Sequence, residues 1–197
     1  MGVIKTALEI ALEKTENVKS DKSSINQFEA KQRGKKLANG LLAGELDLGE
    51  ELKKAPAADK ESLKQGVFDV LVTQILLPSA KDDMKKLEKL GKGLESIMGQ
   101  KAKNEFSAMY NQLLQVFSQF LQEAVQYEQM VRQQYAPKLR QKEEELSRRL
   151  GREIRIDPLQ DPEFVAFLNQ HMSALKGNYE PVVEQAREET IRMFGNQ

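Results

Sequence analysis

KAKNEFSAMYNQLLQVFSQFLQEAVQYEQMVRQQYAPKLRQKEEELSRRL, residues 101–150, carries its apolar side chains at helical spacing. Phe106, Met109, Leu113, Val116, Phe117, Phe120, Ala124, Val131, Tyr135, Leu139, Leu146 and Leu150 advance by steps of three and four, which puts them on one stripe of a helix. Fifty residues at ~1.5 Å each would make a rod of roughly 75 Å. No single core needs a rod of that length, so its stripe must be buried on other helices, of this chain or of another. The stretch Ala136-Pro137 is its one flaw, and predicts a kink or break near Gln133 to Tyr135. Gly151 suits the helix end.

Working toward the N-terminus, Met84, Leu87, Leu90, Leu94 and Ile97 predict a short amphipathic helix, capped by Ser79 or Asp82 and stopped at Gly99. Before it, Leu63, Val67, Phe68, Val70, Leu71, Val72, Ile75, Leu76 and Leu77 are apolar on most helix faces. Their length and the stop at Pro78 favour a buried helix over a strand, with Asp59 in the N-cap position. Asp47 to Ala58, with Gly49 and Ala55-Pro56-Ala57-Ala58, reads as a linker in which Glu50 to Lys54 keeps a turn or two. Gly40 and Gly44 have the spacing that lets another helix approach. A helix carrying Ile25, Phe28, Ala38, Leu41 and Leu42, and reaching as far as Leu46, is expected, opened by a Ser24–Gln27 capping box after a turn at Ser20-Asp21-Lys22-Ser23-Ser24. Val3 to Val18 reads as another amphipathic helix. Met1-Gly2 with Thr6 also fits the bare N-myristoylation pattern, although one acyl chain gives only marginal anchoring, and a packing helix is the preferred reading.

Toward the C-terminus, Arg152 to Ile156 alternates and predicts a short extended segment. Asp161, Pro162 and Glu163 form a strong helix start. Phe164, Phe167, Leu168, His171, Met172 and Leu175 share one stripe, Gly177-Asn178 ends it, and a last helix runs from Tyr179 to Phe194.

The expected fold is therefore all-α: an elongated helical bundle with one long kinked helix as spine. Its parts are an N-terminal helical hairpin over 1–54 and a bundle over 59–197, or one continuous domain. Thirty basic and thirty acidic residues leave a formal net charge of zero, so no global field recruits nucleic acid. With no cysteine, a disulfide scaffold, a thiol nucleophile and a zinc site built on Cys are excluded. The first residues build no export signal, and the apolar run Val67 to Leu77 is too short and too polar to span a bilayer. A cytoplasmic protein without a transmembrane segment is expected.

One histidine, His171, cannot supply the two Glu-x-x-His pairs of a ferritin-like di-iron centre. It is expected to be a partly buried, hydrogen-bonded residue of its apolar stripe. Carboxylate clusters such as Glu143-Glu144-Glu145 lie among arginines at ion-pair spacing, which describes solvated faces. No catalytic residue, metal ligand or cofactor site is assigned, and no enzyme is expected. Two basic groups stand out: Lys31, Arg33, Lys35 and Lys36, and then Arg140, Lys142, Arg148, Arg149, Arg152 and Arg155 flanking the end of the long helix, where acids are interleaved; the candidate anion-binding residues are the first four with Arg148, Arg149 and Arg152. Neither has an aromatic neighbour for base stacking.

The opening Thr6-Ala7-Leu8-Glu9-Ile10-Ala11-Leu12-Glu13-Lys14-Thr15-Glu16, with Asp21-Lys22 and Gly34-Lys35-Lys36-Leu37-Ala38, resembles the start of small helical bacterial proteins of unknown function, some from spirochaetes. The resemblance covers roughly the first forty residues and implies a bacterial, cytoplasmic, all-helical protein. The leading expectation is a non-catalytic interaction or scaffold protein that meets a protein partner, or itself, through a helix face, as a coiled coil does. The alternative is a binder of nucleic acid or an anionic surface through the basic groups.

Overall fold

The computed structural model describes residues 7–196, with side chains from Ser24 onward. The described residues are all-α. Six helices follow one another: α1 (Ala7–Ala43), α2 (Leu48–Lys54), α3 (Lys60–Leu71), α4 (Lys81–Ile97), α5 (Gln100–Leu150) and α6 (Pro162–Gly195). The N-myristoylation pattern at residues 1–6 lies outside the described residues.

Local sequence explains most boundaries. Gly44, at φ +80°, ends α1: its amide reaches the Leu41 carbonyl at 3.0 Å and the Glu45 amide reaches Gly40 at 2.9 Å. That pair of bonds needs a left-handed residue, for which glycine has no Cβ penalty. The segment read as a linker holds α2, because Asp47 Oδ1 accepts from the amides of Gly49 at 2.7 Å and Glu50 at 3.3 Å. Gly99 separates α4 from α5, and Gly151, at φ +66°, ends α5 as its sequence suggests.

Several expectations are corrected. Ser20 to Ser24 is not a turn, and Ser24 caps nothing, because α1 runs through both. Serine, aspartate and lysine each cost a helix only tenths of a kcal/mol, and no Gly or Pro stands there to stop it. Asp59 stands at the start of α3, but its backbone is already helical and its carboxylate caps no amide, being engaged by Arg33. The start of α4 is held by Asp83 rather than Ser79 or Asp82: its Oδ2 accepts from the Ser79 and Ala80 amides at 2.9 and 3.1 Å. The helix expected to reach Leu77 stops at Leu71 and tightens into a 3₁₀ turn, Val72–Gln74. Residues 75–78 then run without regular structure into Pro78, which disfavours helix in the residue before it. Gly177-Asn178 ends nothing. α6 continues through it and through Pro181 to Gly195. Of the kink or break expected near Pro137, the break does not occur: α5 is helical from Gln100 to Leu150.

The chain divides into two compact units. The first takes in residues up to 75, 88–106 and from 193 on; the second takes in 76–87 and 107–192. In the first, Val67, Leu71, Ile75, Leu94 and Ile97 are fully enclosed, and Phe68 stacks on Phe194 with ring centroids 4.0 Å apart. α1 contributes small residues, Ala30, Gly34 and Ala38, all buried and spaced by four. In the second, Leu113, Phe117, Phe120, Val131, Tyr135 and Phe164 are buried, and the enclosed Tyr110 hydroxyl donates to the Leu87 carbonyl at 2.8 Å.

Candidate functional site

The two candidate basic groups have different fates. In the first unit, Lys31 Nζ lies 2.8 Å from Asp69 Oδ2, and Arg33 pairs with Asp59. Burial alone would raise the Asp69 carboxyl. Hydrogen bonds from Lys31 and Gln65, with the charges of Lys31 and Lys35, hold it below its ordinary value instead. This group is thus largely a seam between α1 and α3, each a neighbour of the other's charges. Only Lys36 is turned out to solvent beside Arg33. In the second unit, Arg148, Arg149 and Arg152 are exposed around the end of α5. Arg148 has Glu144 at 3.8 Å. The expected extended segment after α5 is tied back by α5 itself: Ser147 Oγ accepts from the Ile154 amide at 2.9 Å and Glu143 Oε1 from the Ile156 amide at 2.8 Å.

The most developed polar cluster is one that sequence reasoning resolved only in half. Asp161 caps α6, its Oδ1 accepting from the Glu163 amide at 2.9 Å and the Phe164 amide at 3.4 Å. The same buried carboxylate takes Lys142 Nζ of α5 at 2.7 and 3.0 Å. Lys142 also stands 3.1 Å from Glu163 Oε2 and 3.3 Å from the Tyr135 hydroxyl, and Lys138 Nζ lies 2.7 Å from Glu163. The hydrogen bonds from Lys138 and then Lys142 bring the Glu163 carboxyl down to about 2. The Lys142 hydrogen bond holds Asp161 below its ordinary value, and that to Asp161 holds Lys142 above its own. Every charge in the cluster is met by an opposite one, so it fastens the start of α6 to α5 and offers no poised acid or base. The cap was readable from Asp161-Pro162-Glu163. The i, i+4 pair Lys138 and Lys142 gave no sign of its partners.

His171 is half-buried among aromatics, its ring 4.4 Å from Phe167 and 6.1 Å from Tyr127. Among the described residues, no group of three or more His, Cys, Asp or Glu could hold a metal ion, and no helix is long and apolar enough to cross a membrane. Each unit has an open groove. That of the first, about 510 Å³, is lined by Leu41, Leu46, Leu48, Lys89 and Lys92; that of the second, about 630 Å³, by Leu76, Leu77, Gly177, Pro181, Val183 and Arg187.

Large apolar residues on the surface are the remaining feature. On α1, Ile25 is 56% exposed and Phe28 63% exposed. They stand three residues apart on one helix face. At 100° per residue, that face lies roughly opposite the buried stripe of Ala30 and Gly34. Between Ile25 and Ala38, α1 therefore packs through Ala30, Gly34 and Ala38 and turns Ile25 and Phe28 outward. On α5, Val125 and Met130 are also exposed.

The sequence profile of a family of unknown function, DUF6657, matches residues 49–191, and the chain belongs to that family. No curated protein and no solved structure matches the chain.

Proposed function

We propose that this DUF6657 member is a non-catalytic helical interaction protein, which binds a protein partner, or a second copy of itself, through an exposed helix face. The observation that carries the reading is the outward pair Ile25 and Phe28 on α1. A single exposed apolar side chain needs no explanation. Two neighbouring large ones, on the face opposite the packed stripe, are the anchors that a helix-in-groove contact uses. The same reading takes the protein as bacterial and cytoplasmic, on the resemblance of its opening residues.

The alternative, a binder of nucleic acid or an anionic surface, has less support. Lys31 and Arg33 are already paired with Asp69 and Asp59, which leaves fewer cations to release counterions from phosphates.

A tagged pull-down from the native host at low salt, with and without nuclease, tests both. The interaction reading expects one protein at near-equal stoichiometry, or a dimer by light scattering. Either survives nuclease and is lost in Ile25→Ser/Phe28→Ser. Nucleic acid that elutes at moderate salt, and is lost in Lys35→Glu/Lys36→Glu, would replace it with the alternative.

A further inference from the structure

Helix α6 carries a proline in its interior, Pro181, and the residue four positions earlier is Gly177. Pro181 has no N–H, so the Gly177 carbonyl lacks its i+4 donor, and the proline ring crowds that same carbonyl. The glycine answers no packing need: a Cβ there would meet nothing within 4 Å. It leaves the turn with the greatest backbone freedom of any residue. Side-chain anchoring is thin over the same turns. Leu175 and Val183 are buried, but between them Lys176, Gly177, Asn178, Glu180, Pro181 and Val182 are all exposed. Tyr179 alone of the seven reaches inward. Its ring meets Phe120 edge-on at 5.1 Å, and its hydroxyl donates to Glu123 Oε2 at 2.6 Å.

The contrast with Pro137 in α5 is instructive. Around that proline, Val131, Tyr135 and Leu139 pack into a cluster with Phe164, Phe167 and Leu168, and Lys138 and Lys142 are fastened to Glu163 and Asp161. That lost hydrogen bond is held rigid by its neighbours. Around Pro181, only Tyr179 reaches inward between Leu175 and Val183.

We infer that residues 177–181 are a hinge within α6, latched by the Tyr179–Glu123 hydrogen bond. Gly177 and Pro181 also line the groove of about 630 Å³ with Leu76 and Leu77. Bending at the hinge therefore reshapes that groove, and the latch sets how often it does so.

Hydrogen exchange along α6 of the full chain tests the hinge. Amides of residues 179–185 should exchange at least tenfold faster than those of 168–175 and 186–190. Pro181→Ala, which restores the missing donor, should slow them by tenfold or more. Tyr179→Phe, which keeps the ring and removes the latch, should speed them about fivefold and leave the flanking segments unchanged. Uniform protection along α6 would overturn the hinge, as would exchange at 179–185 that ignores Pro181→Ala. A Tyr179→Phe variant indistinguishable from the parent would overturn the latch.

Discussion

Gly34 of α1 and Gly66 of α3 share one helix crossing, each in the place where the other helix's backbone leaves no room. A Cβ on Gly34 would stand 2.1 Å from the Leu63 carbonyl oxygen, and one on Gly66 would stand 2.0 Å from that of Lys31. The obstacles are backbone atoms, so they cannot swing aside. Gly34→Ala and Gly66→Ala each gain about 1 kcal/mol of helix propensity, yet must part the helices. A net loss of about 2 kcal/mol is expected for each from overpacking. The double variant should cost less than the sum, because parting the helices once relieves both clashes. Urea unfolding of the three variants measures this, and an unchanged midpoint in either single variant would remove the close crossing from the account.

Asp161 joins a helix cap to an ion pair, and this predicts a pH dependence. Its carboxyl, and that of Glu163, lie below their ordinary values in the folded chain. Their contribution is therefore complete above the unfolded carboxylate range and is lost as pH falls from about 4.5 toward the Glu163 value of about 2. Asp161→Ala should cost about 1 kcal/mol or more at pH 7 from the cap alone. The difference from the parent should shrink progressively below pH 4. Lys142 is shifted the opposite way, so its contribution persists through neutral pH and fades only in strong alkali. A parent-to-variant gap that stayed constant between pH 7 and pH 2.5 would contradict the coupling.

Tyr110 places a hydroxyl in the core of the second unit. Tyr110→Phe preserves the ring but leaves the Leu87 carbonyl without its 2.8 Å donor, at a cost of about 1–2 kcal/mol. Burial pushes the phenol well above its usual range. An ultraviolet titration of the native protein should therefore show two tyrosines that ionise late: Tyr179, which its hydrogen bond to Glu123 raises to about 12, and Tyr110, which resists until the fold is lost; Tyr110→Phe should remove the second.

Leu71 and Phe28 make opposite predictions on the same unit. Leu71 is fully buried, so Leu71→Asp places a carboxylate where nothing compensates it, and the chain should aggregate or lose cooperative unfolding. Phe28→Ser alters a residue that is mostly in water. It should change stability by no more than about 0.5 kcal/mol while abolishing association. If Phe28→Ser unfolds the protein, the outward face belongs to the core and the interaction reading falls.

Periodicity alone makes the helical class, the long α5 and the buried Leu63 to Leu71 face legible in the sequence, because steps of three and four report directly which side of a helix avoids water. It could not show where helices fail to stop. Gly177-Asn178 looks like an end, yet glycine merely taxes a helix by about 1 kcal/mol, and buried Leu175 before it and Val183 beyond it keep both flanks of α6 packed. Gly66 was unreadable for a different reason: a lone glycine amid Leu63, Val67 and Phe68 looks like a blemish until Gly34 is set against it. The basic run Lys31 to Lys36 resembled a ligand surface because its counter-charges, Asp59 and Asp69, lie some thirty residues away in the chain. Sequence spacing is blind to such pairs.

The division of the chain bears on how the protein comes into being on the ribosome. The first unit draws on residues up to 75, but also on 88–106 and on Met193 and Phe194, the latter stacked against Phe68. Helices α4, α5 and α6 each begin in one unit and finish in the other. Neither unit can thus be completed as synthesis proceeds from one end. The Phe68 ring must wait for Phe194 until some 125 further residues have been added, which at about 5–20 residues per second takes roughly 6 to 25 seconds. For that interval the Phe68 side of α3 lacks its last cover, and chaperones, or other nascent chains, can find it first.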